Sequence, residues 1–132
     1  MSAPLHIDQH STAGVTVLEL SGQFVADEGD QAFRERIASL VSGGTSHVLV
    51  DLRNLTYMDS GGAGALGAAL LHVVRRGGTL KLLHPSDRVR RVLEVTHLLS
   101  VFDVCDDEEA AIRKFETSAG DSSAADLAAE HR

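Results

Sequence analysis

The chain has 132 residues, 43% of them hydrophobic, and a formal net charge of −7 at pH 7. That length supports one hydrophobic core and not two. The acidic balance argues against direct binding of nucleic acid and against attraction to an anionic membrane. No apolar run approaches the roughly 18 residues of a membrane span, and no signal peptide is apparent. We therefore expect a soluble, cytoplasmic domain.

The first part of the chain predicts a β-hairpin followed by an amphipathic helix. Val15 to Leu20 has the β-branched, alternating pattern of a strand, and Ala13-Gly14 before it marks a hairpin turn. Apolar residues then recur at helical spacing, which predicts a helix with one buried face. These residues are Phe33, Ile37, Leu40 and Val41.

The rest of the chain alternates strands and helices. His47 to Leu52 predicts a buried strand, because its apolar residues run together. A second helix follows, with Leu70 at the centre of its predicted apolar face. Thr79 to Leu83 predicts a further strand, followed by a third helix, a strand before Cys105 and a last helix with Phe115 turned inward.

This order, β-β-α-β-α-β-α-β-α, predicts an α/β fold. We expect a mixed, mostly parallel sheet of about five strands with an N-terminal hairpin, packed with about four α-helices. From Thr117 onwards the composition changes to Ser, Ala, Gly and Asp. Residues 1–116 are therefore assigned to the domain and residues 117–132 to a mobile C-terminal tail.

The junction between the third strand and the second helix is the most informative stretch. It reads Met58-Asp59-Ser60-Gly61-Gly62. Serine is a favoured N-cap residue, so we predict that Ser60 caps the helix. Gly61 and Gly62 leave the first turn without side chains, so a partner could approach the backbone there closely.

Two enzymatic interpretations of this junction are weak. Gly62-x-Gly64-x-x-Gly67 matches a dinucleotide-binding string, but the next strand ends in His84-Pro85 rather than in an acid. A nucleophilic Ser60 would need a base, and His72 lies about three helical turns away. The Gly-x-Ser-x-Gly pattern of a nucleophile elbow is also missing around this serine.

Neither the histidines nor the cysteine predicts a chemical site. The seven histidines show none of the spacings of zinc ligands, so we expect no metal and no cofactor. Cys105 is flanked by carboxylates, which raise the pKa of a thiol and make it a poor nucleophile. We therefore expect no catalytic residue.

Several segments, taken in order, resemble the STAS domain family. Val48 to Leu52 and Leu55 to Gly64 resemble its central signature, in which an apolar strand leads through Asp-Ser into a helix. More narrowly they resemble bacterial anti-sigma factor antagonists. The similarity runs from about Leu5 to Phe115, with further matching segments at Leu20–Gln23, Gly78–Leu82 and Val92–Phe102.

The resemblance implies a binding protein without enzymatic activity. Such proteins bind an anti-sigma factor that is also a serine kinase, and this binding releases a sigma factor. The kinase phosphorylates the serine that corresponds to Ser60, and a PP2C-type phosphatase reverses this. The resemblance implies a partner-binding surface made of Gln23, Asp27, Glu28, Asp59, Ser60, Gly61, Gly62 and Ala63.

The sequence departs from the family pattern at two places. Gly61 stands where the family often has Ser or Ala, and Val25 stands where many antagonists carry an acid. Asp27 and Glu28 follow shortly after and could take the place of that acid. The alternative function is a non-phosphorylated STAS scaffold or transport-accessory module, in which Ser60 is only a cap; an enzyme comes third.

Overall fold

The computed structural model describes residues 3–26 and 29–120, the last four of them by their backbone alone. Its strands are β1 (His6–Thr12), β2 (Val15–Phe24), β3 (His47–Met58), β4 (Thr79–Leu83) and β5 (Asp103–Cys105). Its α-helices are α1 (Gly29–Ser42), α2 (Ser60–Arg75), α3 (Asp87–Val95) and α4 (Glu108–Gly120), with a 3₁₀ turn at Leu99–Val101.

The five strands form one mixed sheet in the order β1-β2-β3-β4-β5. β1 is antiparallel to β2, and the other neighbours are parallel. The predicted order of elements and the mixed, mostly parallel sheet are confirmed. In the part of the chain that the structure describes, none of the helices is both long and apolar enough to cross a membrane.

The N-terminal hairpin turns through Ala13 and Gly14, as the sequence predicts. Both residues have positive φ angles, 51° and 78°. Two such residues between paired strands form the turn whose twist matches that of the strands. The turn fixes the register of the hairpin, in which Thr12 pairs with Val15.

The two faces of the sheet are covered differently. The larger core lies between one face and helices α1, α2 and α3. Within it, Phe24 and Phe33 meet edge to face, with ring centroids 5.1 Å apart. On the opposite face, α4 contributes Ala111 and Phe115 to a smaller core, so the predicted inward position of Phe115 is confirmed. The sheet contributes Val15, Val17, Leu49, Leu83 and Cys105 to this second core.

β3 is six residues longer than the predicted strand, because β2 accompanies it to its end. β4 pairs with β3 only as far as Asp51, whereas β2 stays paired with it until Phe24 lies opposite Met58. Two register irregularities interrupt this stretch. These irregularities hide the period-2 pattern from a sequence reading. The extension carries the start of α2 beyond the ends of β4 and β5.

Lys81 is a buried cation on the α4 face of the sheet. Its side chain is 7% exposed, and its Nζ lies 2.6 Å from Oδ2 of Asp103 and 5.3 Å from the ring centroid of Phe115. Burial alone would raise the pKa of Asp103. The hydrogen bond and charge of Lys81, with the charge of Lys114, outweigh burial and lower that pKa.

Removing the acid from this pair should cost more than removing the base. Asp103→Asn leaves the Lys81 ammonium buried without an anion, and we expect a loss of about 1–3 kcal/mol in unfolding free energy. Lys81→Met should cost less, because the Asp103 side chain is 45% exposed and can be hydrated. Urea unfolding at neutral pH measures both costs, and the reverse order would contradict the argument.

The pair of Lys81 and Asp103 should also make the stability of the fold depend on pH in the acid range. Because the folded pKa of Asp103 is lowered, its contribution to stability is present above the ordinary aspartate pKa of about 3.9. That contribution is lost as the pH falls through the folded value. Wild type should therefore lose more stability over this acid range than Asp103→Asn does.

The buried face of α2 is centred on Leu66, and the prediction that Leu70 lies at its centre is wrong. Leu66 is fully buried, whereas Leu70 is half-buried at the margin of the larger core. The small residues Ala63, Ala65 and Ala69 are buried instead, because they let the helix lie close to the sheet.

Leu66→Ala should therefore destabilise the fold by about 2–5 kcal/mol, through lost burial and the resulting cavity. Leu70→Ala should cost less, and His72→Ala should cost under about 1 kcal/mol because His72 is only half-buried. Thermal and urea unfolding of the three variants will rank them. Equal losses of stability in Leu66→Ala and Leu70→Ala would show that the buried face of α2 is not centred on Leu66.

Candidate functional site

Asp59, which follows the last residue of β3, joins the start of α2 to the end of β2. One carboxylate oxygen accepts a hydrogen bond from the backbone N–H of Gly62 at 3.0 Å. Both oxygens also lie within hydrogen-bond distance of the backbone N–H of Ala26, at 3.2 and 3.3 Å. The backbone N–H of Asp59 donates to the carbonyl of Phe24 at 3.3 Å. A single side chain therefore caps the helix and holds the neighbouring loop.

Ser60 is the first residue of α2, and the prediction that it caps the helix is wrong. Asp59 occupies the N-cap position with an extended backbone and accepts the capping hydrogen bond. Aspartate and serine are about equally favourable at the N-cap position, so residue type alone does not decide between Asp59 and Ser60. The extended backbone of Asp59 makes it the cap. Ser60 is exposed, and within the described residues its hydroxyl takes part in no hydrogen bond.

Both glycines of the first turn serve packing within the chain, and the prediction that they leave the backbone open to a partner is wrong for Gly62, which is buried, whereas Gly61 is half-buried. A Cβ on Gly62 would lie 2.3 Å from the carbonyl oxygen of Phe24 and 2.8 Å from Cγ of Met58. A Cβ on Gly61 would lie 2.6 Å from the Cβ of Ala26. The loop after β2 therefore occupies the space that side chains would need.

The predicted partner-binding residues fall into three groups. Ser60 is exposed, and Gln23, Asp59 and Gly61 are half-buried. Gly62 and Ala63 are buried, so they support the surface from below and form no part of it. Asp27 and Glu28 lie outside the described residues.

Tyr57, two residues before Asp59, is an exposed aromatic residue that the sequence analysis did not include among the candidates. It is 42% exposed and pairs in register with Gln23 on the neighbouring strand. Tyrosine combines a large apolar area with a hydroxyl, which makes it a frequent anchor of protein interfaces. Only the register between β2 and β3 places Tyr57 beside Gln23. The strand predicted from the sequence ended at Leu52, before Tyr57.

Neither of the two histidines considered as a base for Ser60, His72 and His84, lies near it in the described structure. His84 follows Leu83, which pairs with Asp51, so it lies level with Leu52 on β3. Six residues of strand, about 20 Å, separate that level from Met58. Within the described part of the chain, histidine, cysteine and acidic side chains form no group of three that could hold a metal.

Cys105 lies away from this site, on the α4 face of the sheet, and is buried. Burial raises the pKa of its thiol, and the charge of Asp103 raises it further. The thiol is therefore held in its protonated, unreactive form. The expected direction of the shift is confirmed, with burial as its larger cause.

Alanine at two glycines of α2 should have opposite effects. Gly62→Ala would force the helix away from the carbonyl of Phe24, so we expect a loss above about 1 kcal/mol. At Gly64 the nearest atom to a new Cβ is 3.9 Å away, so Gly64→Ala should gain about 0.5–1 kcal/mol from helix propensity. Denaturant unfolding compares them, and a stable Gly62→Ala protein would contradict this packing.

Comparison with known proteins agrees with this geometry. The model of the STAS domain family matches residues 6–111. An anti-sigma F factor antagonist of Paenibacillus polymyxa is 24% identical over 112 residues, which are 85% of this chain and 96% of the relative. The anti-sigma-B factor antagonist of Bacillus subtilis is 30% identical over 80 residues, or 61% of this chain and 72% of the relative.

The fold also matches that of a solved antagonist. The structure of the anti-sigma factor antagonist SpoIIAA in its unphosphorylated form has a TM-score of 0.73 at 23% identity, covering 86% of this chain and 96% of SpoIIAA. The phosphorylated form of the Bacillus protein gives 0.65 at 22% identity, covering 83% and 97%. The five-stranded sheet, the helices and the family match together show that the chain belongs to the STAS domain family.

Proposed function

We propose that this chain is an anti-sigma factor antagonist whose binding is ended by phosphorylation of Ser60. The proposal rests on the different roles of two adjacent residues at the start of α2. Asp59 caps the helix, and the Ser60 hydroxyl stays exposed and without a hydrogen-bond partner among the described residues. A serine that served only as a cap, as in a scaffold, would have its oxygen bonded to the backbone.

The proposed reaction is phosphoryl transfer from ATP, catalysed by the anti-sigma factor kinase. The Ser60 oxygen attacks the γ-phosphorus, the bond between that phosphorus and the β–γ bridging oxygen breaks, and ADP leaves. A base on the kinase takes the hydroxyl proton. This chain supplies the acceptor and no catalytic group, and a PP2C-type phosphatase hydrolyses the ester to restore the hydroxyl.

The added charge would act locally. A phosphate carries about −1.5 to −2 charges at neutral pH. The first turn of a helix favours negative charge, so the fold should tolerate the group. SpoIIAA, which shares this fold, has been solved in both phosphorylated and unphosphorylated forms. The loss of binding would then come from repulsion and from bulk at the interface, without refolding.

The proposed partner surface surrounds Ser60. Gln23, Gly61 and Tyr57 are its accessible members, and Asp59, Gly62 and Ala63 hold it from below. Asp27 and Glu28, in the connection between β2 and α1, complete the proposed set. The partner is the anti-sigma factor kinase, and neither nucleic acid nor membrane takes part.

Three proteins test the switch against the cognate kinase. Ser60→Asp should fold normally but bind at least tenfold more weakly, a cost of about 1.4 kcal/mol, because it places a negative charge at the interface. Ser60→Ala should keep its affinity and resist phosphorylation. It should lose under about 0.5 kcal/mol of stability, since Asp59 is the cap.

Calorimetric titration measures the affinities, and intact mass after incubation with kinase and ATP reports the transfer. Unfolding curves serve as the control for folding. Equal affinities for wild type and Ser60→Asp would refute the switch. A phosphoryl group on Ser60→Ala would move the modification to another residue.

A further inference from the structure

Arg34 of α1 lies beside the beginning of α2. Its terminal nitrogen Nη2 is 3.9 Å from the position that a Cβ on Gly64 would occupy. Among the described residues, no other atom outside the helix comes within 4 Å of that position. The guanidinium therefore lies over a gap in the surface of α2, in its second turn, where a glycine provides no side chain.

This gap is on the same side of α2 as Ser60. Gly64 follows Ser60 by four residues, and residues at that spacing are neighbours on a helix, with Cβ positions about 5–6 Å apart. No side chain stands between the two, because Gly64 has none. A group attached to the Ser60 oxygen and the flexible Arg34 side chain can therefore reach each other across Gly64.

α1 carries two acids near Arg34 in sequence, Asp30 four residues before it and Glu35 directly after it. Glu35 accepts a hydrogen bond from Gln31. Within the described residues the Arg34 guanidinium makes no hydrogen bond and no ion pair. α2 contains no aspartate or glutamate, and the carboxylate of Asp59 is held by the backbone N–H groups of Ala26 and Gly62. Arg36 differs, because it donates to Oε1 of Gln9 at 3.1 Å, on the β1 side of α1.

We propose that Arg34 is the intramolecular partner of a phosphate on Ser60. The inference rests on the proposed function, which makes Ser60 the modified residue. A guanidinium matches the geometry of phosphate oxygens and pairs with two of them at once. The phosphate would then be held across Gly64 at the start of α2, and Arg34 would be turned towards it and away from any acidic group of a partner.

The test needs neither the kinase nor the partner. Phosphoserine is encoded at position 60 during translation, in the wild-type chain, in Arg34→Gln and in Arg36→Gln as the matched control. Phosphorus NMR then follows the second ionisation of the phosphate, whose ordinary pKa is about 6. A nearby cation favours the dianion, so that pKa should be lower in the wild-type background.

We expect Arg34→Gln to raise the phosphate pKa by about 0.5 unit, and we expect added salt to shrink the difference. Arg36→Gln should leave the pKa unchanged, because its side chain points towards β1. An unchanged pKa in Arg34→Gln, or an equal rise in both variants, would overturn the inference. Arg34 is exposed, so its replacement should not unfold the protein; thermal unfolding verifies this.

The test of the Arg34–phosphate pairing and the test of regulation by Ser60 phosphorylation can fail independently. A phosphate that ignores Arg34 but still abolishes binding would refute only the pairing. A phosphate that pairs with Arg34 while wild type is never phosphorylated by the kinase would refute only the proposed regulation.

Discussion

The carboxylate of Asp59 is the constraint on which the functional end of this domain depends. It accepts hydrogen bonds from two backbone segments, the first turn of α2 and the loop after β2, whose residues are far apart in sequence. Of these two donors, the N–H of the buried Gly62 would otherwise be left unpaired away from water, which is costly, whereas Ala26 is exposed. By satisfying both, Asp59 fixes the helix relative to the sheet and leaves Ser60 without a structural task.

This separation of tasks suits the modification proposed for Ser60. If Ser60 were the cap, a phosphate would break a hydrogen bond of the fold, and modification would cost stability. Because the neighbouring acid caps the helix, the hydroxyl can change its chemistry while the helix stays in place. The glycines strengthen the arrangement, since Gly61 and Gly62 bring the loop after β2 into direct contact with α2.

The site is far from the second core. Cys105, Lys81 and Phe115 lie on the face covered by α4, whereas Ser60 lies at the end of the long β2–β3 ladder, next to α1 and α2. The ion pair of Lys81 and Asp103 therefore concerns the docking of α4 and the stability of the fold. It does not touch the surface proposed for the partner.

Most of the fold could be predicted because its signals are local. The turn at Ala13-Gly14, the apolar spacing of α1 and the buried run at the start of β3 each lie within a short window, so the order of elements followed. The family signature around Asp59 and Ser60 likewise located the candidate site. The length of β3 could not be predicted, because irregular pairing with β2 conceals its period.

The sequence by itself therefore determined the element order, the family resemblance and the residues at which the site would lie. Tertiary structure decided what each of those residues does. Asp59 is the cap and Ser60 is free because the N–H of Ala26, distant in sequence, helps to hold the carboxylate. Gly62 is closed to partners because the carbonyl of Phe24 fills its space, and a contact between distant segments leaves no trace in a local pattern.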